Sequence, residues 1–562
     1  MYLDYLVKLP ENTGKITTNK KKDTTYIEYA YERKYDPTKK YTVSKRTTIG
    51  KLSKDDLTLM IPNENFLKYF PEIELPETKD RSHRSSCLRI GSHIIIKKIM
   101  NDYKIPEMLS DYFNDKELGL LLDMISYSII AESNANQYYP DYAYNHPLFT
   151  NDMRIYSDSK ISDFLNSITE DQSLGFLNSW NERRNHREKL YFSYDSTNKN
   201  CQAGDIEIVE YGKAKIDAGT PIFNYAIAYD NKNSEPLFYE KYPGSITDVA
   251  QLKHMVDKAK GYGYKNIGFI LDRGYFSKSN FEYLDSCGYS FIVMMKGMKS
   301  LVKELIIEHK GTFENKRVNN IFDYGVYGKS VKRTLYASDE KERYFHVYHS
   351  IFKESYERRY IELKIHELNE YLNKYKNTEK EFNSTVDHYF ELFYDDKKFM
   401  FAREKASVIE EEISLCGYFV IITSQKMTAT AAIDFYKGRD ASEKLFRGDK
   451  AYLGNKSLRV HSDVRAASKI FIEFVALIVR NKIYTCLREE KKKLSKKPNF
   501  MTVPAALKEL EKIEMIRQLD QVYRLDHAVT SNQKKILNAF EMTENYIKHK
   551  SIEISNQLKG CE

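Results

Sequence analysis

Residues 434–450 carry four side chains of the kinds that bind metal ions and phosphate. Tyr436, Arg439, Glu443 and Lys450 follow the spacing Tyr-x2-Arg-x3-Glu-x6-Lys. On a helix, which turns by about 100° per residue, the four positions fall within an arc of about 60°. A carboxylate beside cationic and phenolic donors suits the joint binding of a divalent metal and a phosphate. The alternative is a solvated helix face on which Arg439 and Glu443 form an ordinary i,i+4 ion pair.

Two further carboxylates end predicted core strands. Asp195 ends the strand predicted over 189–196, and Asp272 ends the strand predicted over 266–273. Ligands of α/β sheets bind at such strand ends. Together with Glu443, these side chains would bridge two Mg²⁺ ions about 4 Å apart, the arrangement used for in-line displacement at phosphorus. The alternative is that each aspartate is a turn or N-cap residue.

An α/β pattern begins at residue 187 and positions these carboxylates. Three strands come first, and helices then alternate with strands, which predicts a mixed sheet. The predicted strands are 189–196, 223–229, 236–239, 266–273 and 290–296, with helices at 247–260 and 277–287. A polar segment interrupts the pattern before a strand at 417–423 and the helix at 428–446 that carries the four residues above.

The chain divides into six predicted regions around this pattern. They are a β-rich N-terminal unit (1–85), a helical region (86–186), the first part of the core (187–297), an inserted subdomain (298–415), the second part of the core (416–485), and a basic linker with a helical C-terminal tail (486–562). In the N-terminal unit, strands 24–32 and 41–49 are predicted to form a hairpin around the loop 35–40.

Composition narrows the class of protein. The formal net charge of +8 is compatible with nucleic acid as a partner, although it is mild for 562 residues. The six cysteines are scattered and form no Cys-x-x-Cys pair, which favours reduced cytosolic thiols over a disulfide framework or a zinc ribbon. The most apolar helix, around 470–479, is interrupted by Glu473 and is too short to span a bilayer. The glycine-containing stretch 261–265 lacks the Walker spacing, so no nucleotide cofactor is expected.

The combined order of motifs resembles the DDE transposases of bacterial insertion sequences, in the subgroup with a Tyr-Arg-Glu-Lys signature. The resemblance rests on four stretches, clearest over 187–297 and 416–485: Tyr194-Asp195-Ser-Thr, Tyr242-Pro-Gly-Ser-Ile-Thr-Asp248, Leu271-Asp272-Arg-Gly-Tyr-Phe-Ser277, and the residues Tyr436, Arg439, Glu443 and Lys450. The long gap between Asp272 and Glu443 leaves room for the subdomain that splits the core in this subgroup.

The resemblance implies a site and a fold. The fold is an α/β, RNase H-like (retroviral integrase-like) core split by an insertion. Asp195, Asp272 and Glu443 would be the catalytic residues and the ligands of two Mg²⁺ ions, for which Mn²⁺ would substitute. Tyr436, Arg439 and Lys450 would contact DNA phosphates. Some relatives hold a flipped base with a Trp in the insertion, whereas Trp180, the one Trp of this chain, precedes Asp195.

The resemblance also implies a function: binding of the terminal inverted repeats of an insertion sequence, followed by metal-dependent cleavage and strand transfer. The partners would be double-stranded DNA at the transposon ends and target, with a homodimer formed on paired ends in the bacterial cytosol. Residues 1–186 would recognise the ends, and the C-terminal tail would support oligomerisation. Two alternatives remain: a transposase-derived DNA-binding protein without catalysis, and a structure-selective nuclease on the same fold.

Overall fold

The protein is described by a computed structural model, in which the chain forms two compact units. The terminal unit comprises Met1–Ile168, Tyr452–Gly454 and Phe471–Glu562, and the central unit comprises Thr169–Ala451 and Asn455–Ile470. The structure describes residues 2–3, 6–11, 14–22, 24–53, 56–72, 84–202, 206–212, 219–295, 298–454, 457–494, 498–518 and 520–560.

The terminal unit begins with a five-stranded antiparallel sheet of order β1-β5-β4-β3-β2. Its elements are β1 (Val7–Lys8), β2 (Ile16–Lys21), β3 (Thr24–Asp36), β4 (Tyr41–Leu52), β5 (Leu59–Pro62) and α1 (Glu64–Tyr69). Ile27, Ile49 and Met60 are buried beneath α1 around Phe66. The predicted hairpin is confirmed, because β3 and β4 pair antiparallel and Asp36 lies opposite Tyr41.

A helical layer follows in the same unit. It contains β6 (Cys87–Arg89), α2 (Gly91–Asp102), α3 (Ile105–Ser110), α4 (Asp115–Ile130), α5 (Tyr139–Asn145) and α6 (Asp158–Ser167). Asn114 caps α4 in a reciprocal capping box with Glu117, which explains where this apolar helix starts. Leu121 and Ile125 of α4 are fully buried, as their helical spacing predicts.

The central unit is built on a nine-stranded mixed sheet. After α7 (Glu170–Glu182), its first elements are β7 (Leu190–Asn200), β8 (Ile222–Asp230), β9 (Glu235–Pro243), α8 (Asp248–Gly261), β10 (Ile267–Leu271), α9 (Lys278–Ser286) and β11 (Ser290–Met294). β8 pairs antiparallel with both β7 and β9, whereas β10 runs parallel to both β7 and β11. The predicted plan of three strands followed by helix–strand alternation is therefore confirmed.

Residues 298–415, predicted as an insertion, contribute strands to this same sheet. The segment contains α10 (Lys299–His309), β12 (Asn320–Ile321), β13 (Val326–Thr334), β14 (Glu342–His349), α11 (Ile351–Lys374), α12 (Ser384–Tyr389), β15 (Phe390–Asp395), β16 (Lys398–Glu404) and α13 (Ala406–Ser414). β14 pairs with the next core strand, β17 (Tyr418–Thr423), giving the order β12-β13-β14-β17-β11-β10-β7-β8-β9. β15 and β16 form a separate hairpin that packs with α11.

The helix predicted over 428–446 is two helices, α14 (Ala429–Gly438) and α15 (Asp440–Tyr452). The break is slight, because Arg439 between them keeps helical angles of φ −58° and ψ −26°. α16 (Asp463–Lys493) follows and includes the start of the segment predicted as a basic linker. Residues 495–497 of that segment lie outside the described residues. None of the helices in the described residues is both long and apolar enough to cross a membrane.

The C-terminal part of the terminal unit is mixed, although the sequence predicts a helical tail. It contains α17 (Val503–Leu510), β18 (Glu514–Arg517), β19 (Tyr523–Leu525), α18 (Ser531–Asn538) and α19 (Glu544–Gly560). β18 pairs with both β19 and β6, so a three-stranded sheet joins the two ends of the chain. Pairing across such a sequence separation leaves no local signal in strands this short.

Candidate active site

Asp195 and Asp272 lie next to each other on neighbouring parallel strands. β7 and β10 pair with Leu271 opposite Tyr194, so the next residue on each strand is the carboxylate. Asp272 follows β10 directly, as predicted. The prediction that Asp195 ends its strand is wrong, because β7 continues through a polar segment to Asn200 and pairs there with β8.

Each aspartate uses one oxygen to accept a backbone hydrogen bond. Asp195 Oδ1 accepts from the amide of Ser196 at 2.9 Å. Asp272 Oδ2 accepts from the amide of Gly274 at 3.2 Å and caps the short 3₁₀ helix Arg273–Tyr275. Asp272 is therefore an N-cap as well as a candidate site residue. These bonds fix both carboxylates and leave the second oxygen of each directed at Arg439.

Arg439 joins three carboxylates at the junction of α14 and α15. Its Nη1 lies 3.6 Å from Asp195 Oδ2 and 3.4 Å from Asp272 Oδ1, and its Nη2 lies 2.7 Å from Glu443 Oε1. The Arg439 side chain is only 14% exposed, whereas that of Glu443 is 54% exposed. Burial alone would lower the pKa of Arg439, but the surrounding negative charges, with Asp272 foremost, outweigh burial and raise it.

Tyr436 supports this cluster from the core side. Its ring is buried with Ile270 and Ile433 in the layer between the sheet and α14. Burial raises the pKa of Tyr436 to about 12, although the nearby charge of Arg439 opposes the shift. The guanidinium carbon of Arg439 lies 5.7 Å from the ring centroid, which is within the range of a cation–π contact.

α15 presents Glu443 to the site because its other face is buried. Ser442, Leu445, Phe446 and Asp449 recur at helical spacing and are all buried. Lys450 lies on the same helix, seven positions beyond Glu443, which is about 10 Å further along the axis. The structure therefore brings five of the six predicted residues together, with Lys450 at a distance along α15.

A buried ion pair that the sequence reading missed connects the strand of Asp195 to the helix of Glu443. Lys199 Nζ lies 2.9 Å from Asp449 Oδ2, and the two side chains are 0% and 1% exposed. The ammonium group also lies 4.4 Å from the ring centroid of Tyr225 on β8. Just beyond, the amide of Leu458 donates to the carbonyl of Asn200 at 3.2 Å. The sequence offers little indication of this pair, because the polar half of β7 that contains Lys199 resembles a solvated turn.

The donor set fits a hard divalent cation, since all three acidic side chains offer carboxylate oxygens. In the arrangement seen here, no three His, Cys, Asp or Glu side chains among the described residues are placed to hold one metal ion. The guanidinium of Arg439 lies among the three carboxylates instead. The residues therefore fit a metal by their chemistry, provided that Arg439 moves.

Comparison with known proteins bears on the segment that carries these residues. The profile of the family described as Transposase DDE domain matches residues 188–479, a segment that includes all six predicted site residues. No curated protein matches the chain in sequence.

Two solved structures show distant likeness. One is the piggyBac transposase synaptic complex with hairpin DNA, at 9% identity and a TM-score of 0.30, covering 72% of this chain and 65% of that one. The other is the Mos1 transposase paired-end complex with the left transposon end, at 12% identity and a TM-score of 0.13, covering 41% and 67% respectively. The chain thus spans slightly under two thirds of the piggyBac chain, and both TM-scores are too low to indicate a shared fold.

The family match extends over more than half of the chain and includes the strands and helices that carry the three carboxylates and Arg439. The chain therefore belongs to the family of DDE transposases, the proteins of DDE-type DNA recombination and transposition.

Proposed function

We propose that this protein binds the terminal inverted repeats of its own insertion sequence, cuts the DNA there and joins the ends to a target. The observation that carries the proposal is the convergence of Asp195, Asp272 and Glu443 on a single guanidinium, from two strands and a helix of the matched segment. Residues this far apart in sequence meet because the sheet and α15 bring them together.

The strand arrangement supports an RNase H-like core. Strands β9-β8-β7-β10-β11 are neighbours in that order, with three antiparallel strands followed by two parallel ones joined through α8 and α9. We assign residues 298–415 as the insertion of the Tyr-Arg-Glu-Lys subgroup. Its strands β13 and β14 extend the core sheet, and its α11 and β15–β16 hairpin pack around a hydrophobic cluster of their own.

Asp195, Asp272 and Glu443 would hold two Mg²⁺ or Mn²⁺ ions. When bound, such ions activate a water or 3′-hydroxyl and stabilise the leaving oxygen of a phosphodiester. The contribution of the protein is to hold the ligands in place. The backbone hydrogen bonds to Asp195 and Asp272 keep one oxygen of each directed into the site, and the buried face of α15 fixes the rotation of Glu443.

Arg439, Lys450 and Tyr436 would act on the DNA. Arg439 offers a planar guanidinium to a phosphate at the cut. Lys450 would contact a phosphate further along the strand, given its distance from Glu443. The Tyr436 ring orients Arg439, and its hydroxyl would stay protonated and able to donate, since its pKa is raised to about 12.

Recognition of the DNA ends is assigned to residues 1–186, and pairing of two ends to a homodimer formed on DNA in the bacterial cytosol. The basic balance of the chain, with 88 Lys and Arg against 80 Asp and Glu, suits contact with phosphates. Contacts with phosphates give affinity without sequence preference, so recognition of the end sequence requires contacts with the bases.

The test is incubation of the full chain with duplex DNA that contains the sequences flanking its own gene. The reaction contains Mg²⁺ and a supercoiled target, and the cut ends and joined products are mapped. We expect nicks or breaks at two inverted repeats and their transfer to the target. The Asp272→Asn variant is the matched control, because it removes one charge and keeps the shape of the side chain.

Other outcomes would point to the alternatives. End binding without cleavage would indicate a DNA-binding derivative that lacks catalysis. Cleavage of branched DNA irrespective of sequence, without joined products, would indicate a structure-selective nuclease. Cleavage that persists in Asp272→Asn would show that the reaction does not use this site.

A further inference from the structure

The guanidinium of Arg439 lies among the three carboxylates that would hold metal ions. It is within 3.6 Å of carboxylate oxygens from Asp195, Asp272 and Glu443. Three negative charges so close together repel one another, and a cation between them offsets this repulsion. Arg439 is placed to be that cation.

The surroundings of Arg439 hold it in this position. It is the single residue between α14 and α15, and its amide donates to the carbonyl of Tyr436 at 3.2 Å. Its side chain passes close to the Tyr436 ring and is mostly buried. A planar fork with several donors can bridge carboxylates on different elements, which a lysine ammonium cannot do in the same geometry.

We propose that Arg439 is an internal counter-ion that competes with the metal ions for the three carboxylates. The proposal rests on the proposed function, since it concerns the same site. Metal binding requires the three ion pairs of Arg439 to break, so the chain without DNA binds divalent cations weakly. A DNA phosphate offers the displaced guanidinium a new partner and so favours metal binding.

This change of partner by Arg439 couples metal binding to DNA binding. A ligand that binds only the state in which Arg439 has left the carboxylates shifts the equilibrium towards that state, and the coupling is reciprocal. Metal ions and a DNA end would therefore each raise the affinity of the other. In free protein metal binding stays weak, which limits cutting of DNA that is not correctly bound.

The experiment measures Mn²⁺ binding to the DNA-free full chain by calorimetry and by electron paramagnetic resonance, with no cleavage readout. The variant is Arg439→Gln, which removes the competing charge. Arg447→Gln is the matched control, because Arg447 is exposed on α15 one turn beyond Glu443 and the substitution removes the same charge. We expect Arg439→Gln to bind Mn²⁺ at least about tenfold tighter than wild type, a difference of about 1.4 kcal/mol. Arg447→Gln should stay within about twofold of wild type.

Equal or weaker Mn²⁺ binding by Arg439→Gln would overturn the proposal. Adding Asp272→Asn to Arg439→Gln should abolish the gain, and a gain that persists would place the new binding elsewhere and also overturn it. Failure of the proposed function would look different: the gain in Mn²⁺ affinity would be seen, yet no DNA would be cut. If Arg439→Gln is poorly folded without metal, Arg439→Lys provides the same test, with a smaller gain expected because the charge remains but the fork is lost.

Discussion

Replacing Lys199 with Met should strongly destabilise the central unit. Lys199 and Asp449 are 0% and 1% exposed, with their charged atoms 2.9 Å apart. Removing one partner leaves the other charge buried, which costs about 3–5 kcal/mol. The lost contact with the Tyr225 ring at 4.4 Å adds to this cost. We expect a loss of about 4 kcal/mol in the free energy of unfolding, a large share of the stability of a typical domain.

The double variant Lys199→Met/Asp449→Val separates the charge from the packing. Replacing both members of a buried pair with apolar residues of similar volume is often neutral or stabilising. The double variant should therefore recover most of the lost stability. Because the pair connects the strand of Asp195 with the helix of Glu443, we also expect the recovered protein to cut DNA more slowly than wild type.

Trp180 makes the measurement specific to one unit. It is the only Trp in the chain, belongs to the central unit and is fully buried. Its fluorescence during urea unfolding therefore reports on that unit, in wild type and in each variant. Lys232→Met is the matched control, because the Lys232–Glu188 pair in the same unit is 61% and 50% exposed and contributes little.

Two results would refute this reasoning. One is a urea concentration at the unfolding midpoint that is no lower for Lys199→Met than for Lys232→Met. The other concerns the Asp449→Val single variant. If the double variant loses as much stability as Lys199→Met and Asp449→Val lose together, the two residues do not interact.

Three further predictions concern the site and the sheet. Cleavage should be abolished by each of three substitutions, Asp195→Asn, Asp272→Asn and Glu443→Gln, while binding of DNA ends stays within a few-fold of wild type. Cleavage and gel-shift assays compare the two activities. Near-normal cleavage by one of these variants would show that its residue does not belong to the site. Mg²⁺ or Mn²⁺ should support DNA cutting, whereas Ca²⁺ should support only assembly of the protein on DNA, because Ca²⁺ takes looser, higher coordination. Full activity in EDTA would contradict the metal assignment. Burial lowers the pKa of His346 from 6.5 to about 4, so the unfolded state alone takes up a proton between these values. Stability should therefore fall as the pH drops from 7 to 4, by at most about 3 kcal/mol. The His346→Gln variant should lack this part of the pH dependence of unfolding stability. The same pH dependence in the variant and in wild type would contradict the prediction.

The sequence alone determined the α/β plan of the central unit. Strands such as β8 and β10 are nearly continuous apolar runs, because both faces of these strands are buried, and such runs are visible locally. The proximity of Asp195 and Asp272 was also expected, since each follows such a run. It arises from the parallel pairing of β7 and β10, although β7 continues beyond Asp195. The spacing of Tyr436, Arg439 and Glu443 likewise placed them on one side of a helical segment.

Only the tertiary structure decided the remaining features, because they depend on long-range partners. The polar end of β7 becomes a buried strand because β8 and α15 cover it, and Lys199 is tolerated there because Asp449 approaches from a distant helix. The strands of residues 298–415 join the core sheet through β17, which no local pattern indicates. The position of Arg439 among three carboxylates is of the same kind: the sequence placed it beside Glu443, but its contacts with Asp195 and Asp272 exist only because α14 packs over the sheet.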